Sequence, residues 1–192
     1  MRKLFLIAAT AISHLSANVG PQGFSEFLSG YFIETGTFGG DGVQKALDAG
    51  FPLVRSMEYD RRHARDSRNR FMGNEKVSIY DGDSSVDLWD MIKDINEPVT
   101  FWLDAHIFPP REDGGKNCPL IQELDQIKRH PINTHTILID DLHCCNTAAF
   151  DYLTREDLIN KLLEINSNYQ ISYRDGGNDG EYPNNIMVAT YP

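Results

Sequence analysis

Cysteine is scarce in this chain of 192 residues: only Cys118, Cys144 and Cys145 occur, and two of them are adjacent. An odd count with an adjacent pair makes a poor disulfide framework and points to a reducing compartment. There is no Cys-x-x-Cys and no paired Cys/His spacing, which argues against a structural zinc site. Basic residues are also few, 18 Lys and Arg against 28 Asp and Glu, for a net charge of −10. A phosphate backbone needs a basic surface, so nucleic acid is not an expected partner. The one basic cluster, Arg61, Arg62, Arg65, Arg68 and Arg70, has Asp60 and Asp66 among its members and reads as a solvated helix face. Repeats, low-complexity stretches and linkers are absent, and 192 residues suit a single domain with a sizeable core.

The N-terminus is ambiguous. Met1-Arg2-Lys3 precedes the apolar run Leu4 to Ile12, and Leu15-Ser16-Ala17 could serve as a cleavage site, which is the outline of a secretory signal. The same residues also read as an amphipathic helix on the edge of the domain, ended by Pro21 and Gly23. The run is too short to span a bilayer, so no membrane partner is expected. Residues 1–30 are therefore set apart from a domain at 31–192. The cysteines favour the cytoplasm, with secretion after cleavage near Ala17 as the alternative.

From residue 31 onward, short apolar runs alternate with helical patterns, which predicts a parallel sheet covered on both faces. The strand candidates are Tyr31–Glu34, Leu53–Glu58, Val77–Tyr80, Val99–Asp104 and Thr136–Asp140. Helices are expected at Val43–Ala49, Arg61–Phe71, Ser85–Ile95, Leu120–Arg129 and Arg155–Ile165. Gln170–Tyr173 and Ile186–Thr190 then read as a hairpin, whose final strand should run antiparallel to the rest. Ile107–Pro119, with three prolines and two glycines, follows a strand end and reads as a substrate loop, a lid or a plain connection.

The most telling segment is Glu34-Thr35-Gly36-Thr37-Phe38-Gly39-Gly40-Asp41-Gly42, where a strand ends in an acid and four glycines precede a helix. Glycine permits φ > 0 in such a turn and lets the backbone approach a ligand. Acids recur at the other strand ends: Glu58, Asp83, Asp104 and the pair Asp140-Asp141. In an open parallel sheet those ends line one crevice. Glu58 is placed to accept hydrogen bonds from ribose hydroxyls, and Asp83 with Ser84 to meet an adenine edge. Glu34 would repel a pyrophosphate, so the turn favours a ligand carrying a cation. The phosphate-loop pattern Gly-x-x-x-x-Gly-Lys-Ser/Thr is missing as well.

On these residues the chain resembles class I S-adenosylmethionine-dependent methyltransferases over about residues 31 to 190, nearest to small metal-dependent O-methyltransferases. The resemblance implies an α/β, Rossmann-like fold: a seven-stranded, mostly parallel sheet with an antiparallel last strand and helices on both faces. Glu34, Thr35, Gly36, Thr37, Phe38, Gly40 and Gly42 would hold the methionine part of S-adenosylmethionine. Glu58 and Tyr59 would hold the ribose, Asp83 and Ser84 the adenine, with Asp104 also near the cofactor. Phe38 stands where that motif commonly has its second glycine, a departure the metal-dependent members tolerate. Asp104, at Phe101-Trp102-Leu103-Asp104-Ala105-His106, and Asp140 with Asp141, at Ile139-Asp140-Asp141, would hold a divalent cation. Hard carboxylate donors suit Mg²⁺ first, then Mn²⁺ or Ca²⁺.

The implied activity is methyl transfer to a small hydroxylated acceptor, with Asp104 and His106 as the catalytic pair and His106 as base or extra ligand. A nicotinamide-dependent oxidoreductase is the alternative in another enzyme class. It would use Glu58 in the same way but leaves the later aspartates without a task. A non-catalytic or secreted relative is the third reading. Oligomeric state stays open, a homodimer included.

Overall fold

The structure is a computed structural model that describes residues 23–176 and 182–192. The signal-like residues 1–22 and the hairpin tip at 177–181 lie outside the described residues. Seven strands form one sheet: β1 (Tyr31–Thr35), β2 (Leu53–Glu58), β3 (Val77–Asp81), β4 (Thr100–Leu103), β5 (Thr136–Ile139), β6 (Gln170–Gly176) and β7 (Tyr182–Thr190). Five helices accompany them: α1 (Asp41–Ala49), α2 (Arg61–Arg70), α3 (Ser84–Ile92), α4 (Leu120–Lys128) and α5 (Arg155–Ile165). The sheet order is β3-β2-β1-β4-β5-β7-β6. The first five strands pair in parallel, and β7 runs antiparallel to both of its neighbours. The expected architecture is therefore present, with the hairpin inserted so that its second strand meets β5.

Strand alternation decides which helices cover which face. Ile33, Phe101, Leu103, Ile137, Ile139, Met187 and Ala189 point to the side covered by Leu88, Met91 and Ile92 of α3, Leu120, Leu124 and Ile127 of α4, and Leu158, Leu162 and Ile165 of α5. Their sequence neighbours Phe32, Trp102, Leu138, Ile186 and Val188 point the other way, to Val43 and Ala46 of α1 and to Phe24 and Phe27 of a short 3-10 turn, Gly23–Phe27. Trp102 is fully buried there, edge-on to Phe24 at 5.0 Å, and so belongs to the core and not to a binding surface. The three Cβ-branched or aromatic residues of β4 leave that strand buried on both sides, as a central parallel strand requires.

Strands β4 and β5 end one residue short of their acids, yet the ladder carries on to them. Asp104 N–H donates to Thr35 O at 3.1 Å and Asp140 N–H to Leu103 O at 3.1 Å. The parallel register sets Thr35 beside Met57 and Leu103, Glu58 beside Asp81, and Leu103 beside Ile139. The acids expected at the strand ends thus share one edge. The chain runs outward from β1 to β3 and then returns to β4 beside β1, so the crevice opens between β1 and β4.

The glycines after β1 serve close packing. Gly36 has φ 85°, and a Cβ there would stand 2.7 Å from the Asp104 carbonyl oxygen. Gly42, in the first turn of α1, is packed on Glu34, whose Oε1 would lie 1.8 Å from an added Cβ. Gly39 faces open space. Gly42→Ala should accordingly cost about 1–3 kcal/mol of stability, since the buried, hydrogen-bonded Glu34 carboxyl must move aside, whereas Gly39→Ala should stay within about 0.5 kcal/mol. Urea denaturation of the two variants side by side checks this. Equal stabilities would contradict the packing.

Candidate functional site

The edge formed by the carboxyl ends of β1–β5 opens into a cleft of about 660 Å³. That lies within the range of small-molecule sites, about 300–1,000 Å³. Gly36, Phe38, Glu58, Tyr59, Asp83 and Ser84 line one end, and Asp104, His106, Asp141 and His143 the other. Tyr59 and Phe38 are largely exposed, while Glu58 is set deep. The loop after β4 contributes Ile107, Phe108, Arg111 and Lys116 as a wall, with Arg111 paired to Asp113 at 2.7 Å.

Glu58 is oriented by backbone. Its Oε2 accepts from Phe38 N–H at 2.7 Å and its Oε1 from Asp60 N–H at 2.8 Å. Each oxygen keeps a second lone pair, which suits ribose hydroxyls as donors. Phe38 takes φ 44°, rare for a non-glycine residue, and packs edge-on to His63 at 4.6 Å. Asp83 caps α3 by accepting from Ser85 N–H at 2.9 Å. It therefore does the local job of an N-cap and also lines the cleft.

Four N–H groups of the turn are already engaged within the chain. Gly36 and Thr37 N–H both donate to Met57 O, at 2.9 and 3.3 Å, Phe38 N–H is spent on Glu58, and Gly40 N–H goes to Thr37 O at 2.7 Å. A pyrophosphate at a dinucleotide turn draws on such donors.

Several residues expected in the cofactor site lie beneath it. Thr35, Thr37, Gly40 and Gly42 are buried below the cleft wall. Glu34 is buried under α1, accepting a short hydrogen bond from Ser56 Oγ, which in turn lies 2.5 Å from Thr37 Oγ1. Burial raises its pKa from 4.5 to about 8, with the Ser56 bond opposing and Glu58 and Asp41 adding to the rise. The argument from a charged Glu34 to a cationic ligand is thereby corrected: at neutral pH the group is mostly the neutral acid.

At the other end, Asp104, His106 and Asp141 each bring one donor atom within 4.8 Å of the others. His106 Nε2 is 3.8 Å from Asp141 Oδ2. Asp140 does not join them. It is buried, and its Oδ1 accepts from Asp141 N–H at 2.7 Å and Asn185 Nδ2 at 3.4 Å. The expected triple Asp104, Asp140, Asp141 is thus replaced by one in which His106 takes the place of Asp140. The physical reason lies in the left-handed backbone of Asp141, φ 55°, which turns the second acid into the cleft and leaves the first at the end of the ladder. Burial, and then repulsion from Asp140, Asp141 and Glu34, holds the Asp104 carboxyl well above the ordinary range. Such mutual repulsion is what a cation relieves.

His143 follows β5. In the structure it faces the cleft, stacked on Tyr182 at 4.8 Å. Asn185 Oδ1 accepts from His143 N–H at 2.8 Å and lies 2.9 Å from its Nδ1. An amide oxygen that accepts from the backbone obliges Nδ1 to be the protonated nitrogen, which leaves Nε2 with the lone pair. Asn185 lies 42 residues away, on a strand that pairs with β5, and no local pattern announces it. By contrast His130 and His135 form a buried pair at 3.2 Å, tied to Val99 N–H and Ile95 O, and are structural.

No family model matches this sequence, and no curated protein matches it significantly. Solved structures do match in fold. An O-methyltransferase from Bacillus cereus in complex with SAH shares 14% identity at TM-score 0.54, over 84% of this chain and 74% of that one. A putative O-methyltransferase from Klebsiella pneumoniae gives 12% identity, TM-score 0.54, and 84% and 73% coverage. The N-methyltransferase NodS from Bradyrhizobium japonicum gives 9% identity, TM-score 0.55, and 89% and 91% coverage. The fold is that of class I methyltransferases. Identities this low carry the fold alone.

Glu34 gives a test of the buried network. The folded chain keeps its proton up to about pH 8, whereas an ordinary glutamate loses it near 4.5. Between those limits the folded state binds more protons, so this contribution to stability is complete below about pH 4.5 and is lost as pH rises toward 8. Glu34→Gln should remove that loss and flatten the pH dependence by up to about 1.4 kcal/mol per pH unit. Chemical denaturation across the window is the check, and an unchanged slope would contradict the assignment.

Proposed function

We propose that this chain is an S-adenosylmethionine-dependent methyltransferase that methylates a hydroxyl of a small acceptor, with a divalent cation at the acceptor end. The observation that carries the reading is the division of one cleft on this fold: Glu58 and Asp83 at one end, Asp104, His106 and Asp141 at the other, with Gly36 between them. The residues fit both groups. Glu58 is an aligned acceptor for ribose, and two carboxylates with an imidazole are a donor set for a divalent ion.

Bound S-adenosylmethionine supplies an electrophilic methyl group on a sulfonium sulfur. A bound cation supplies Lewis acidity toward vicinal hydroxyls of an acceptor. The chain supplies the rest. Glu58 and the α3 cap at Asp83 hold the nucleoside across two strand ends. Gly36, lying against β4, lets donor and acceptor ends approach within one crevice, which is the alignment that in-line displacement needs. His143, with Nδ1–H engaged by Asn185 and Nε2 in weak contact with Cys144 Sγ at 3.5 Å, carries on Nε2 the lone pair that can take the acceptor's proton. Phe108, Arg111 and Lys116 line the same cleft from the loop after β4, with Arg111 paired to Asp113 at 2.7 Å.

No helix among the described residues is long and apolar enough to cross a membrane. The three cysteines are free thiols, which supports the cytoplasmic reading.

Calorimetric titration tests the cofactor. S-adenosylmethionine should bind, NAD⁺ should not, and Glu58→Ala should weaken binding at least about tenfold. Binding of NAD⁺ alone would overturn the reading. With a panel of catechols and sugars as acceptors, Asp141→Asn should lower the rate by about 100-fold or more while S-adenosylmethionine still binds. A rate indifferent to Asp141 and to chelators would remove the cation from the reaction.

A further inference from the structure

We infer that Asp104, His106 and Asp141 form a mixed oxygen–nitrogen site that selects a first-row transition dication such as Mn²⁺ over Mg²⁺ and Ca²⁺. The inference rests on the cation in the reading above and deepens it, because the donor set on the page is not the all-carboxylate one that the sequence led us to expect.

Asp140 would have completed an all-oxygen set, but its carboxyl is turned into the protein and engaged by Asp141 N–H and Asn185. His106 stands in its place. Its ring lies edge-on to Phe150 at 5.7 Å, and its Nε2 is 3.8 Å from Asp141 Oδ2. Bond lengths of about 2.0–2.2 Å place the donors of one ion about 3 to 4 Å apart, so the observed spacing needs only small side-chain rotations to close on an ion. The donors come from rigid places: Asp104 from the end of β4, His106 two residues on, and Asp141 from the end of β5, the neighbouring parallel strand. Three protein donors leave coordination positions open toward the cleft, as a catalytic site requires and a structural one does not.

The imidazole decides the ion. Mg²⁺ demands near-octahedral oxygen ligands and gives up water reluctantly, and Ca²⁺ takes six to eight oxygens, a number this wall does not present. Nitrogen donors favour transition ions, in the order that runs upward from Mn²⁺. A carboxylate–imidazole set with open positions thus discriminates by ligand type as well as by affinity.

The test uses the full chain, stripped with chelator, and Mn²⁺ and Mg²⁺ as probes. Mn²⁺ binding is followed by its electron-spin resonance and Mg²⁺ by competition, with pulsed measurements to detect nitrogen bonded to the ion. The expected result is one Mn²⁺ per chain, held at least about tenfold more tightly than Mg²⁺, with a directly coordinated nitrogen. His106→Asp should erase the nitrogen coupling and bring the preference down to about threefold or less, while thermal melting of the ion-free protein stays unchanged. Equal affinities in the wild-type chain, or a nitrogen coupling that survives His106→Asp, would overturn the inference. Failure of any ion to bind would overturn it too and would remove the cation from the proposed reaction, while leaving the S-adenosylmethionine titration to judge the cofactor on its own.

Discussion

Everything at the site depends on how closely β1 approaches β4. Gly36 packs against the Asp104 carbonyl with no room for a side chain, and the same contact brings the turn after β1 beside the acid that ends β4. One strand leads to Glu58 and its neighbours, the other to Asp104, His106 and Asp141. The distance between those ends is therefore set by a hydrogen-bonded ladder in the centre of the sheet, the least deformable part of the fold. The loop after β4 can vary around that frame without changing where the two chemistries meet.

Beneath the frame lies a layer of buried polar groups. Glu34, Ser56 and Thr37 bond to one another under α1, and Glu123, fully buried in the first turn of α4, has its pKa raised to about 7 by burial. Acids kept neutral in this way cost less than buried charges would. They leave the net negative charge of the cleft to the groups that line it.

Much of the fold was legible in the sequence, because a parallel sheet writes itself as short apolar runs ended by acids and glycines. The strand ends at Glu58, Asp83, Asp104 and Asp141 could be read for the same reason, since an acid beside a core needs a purpose. What could not be read depends on geometry across strands. Asp140 and Asp141 are adjacent and alike, and only the left-handed turn at Asp141 separates the buried one from the one in the cleft. Glu34 looked like a charged group at a turn because burial by Gly42 is a contact between a strand and the following helix. His143 gained its orientation from Asn185, on a strand that chain order places far away and sheet order places next door.

The insertion of β7 between β5 and β6 has a consequence for assembly. A sheet of β1 to β5 could form the nucleoside end from contacts among residues 31 to 140, but the groups that orient His143 and engage Asp140 arrive with the hairpin. Such long-range pairing forms late, after the entropy of closing a long loop has been met. The antiparallel strand β7 thus fixes the groups at the β5 end of the cleft in the same step in which it completes the sheet.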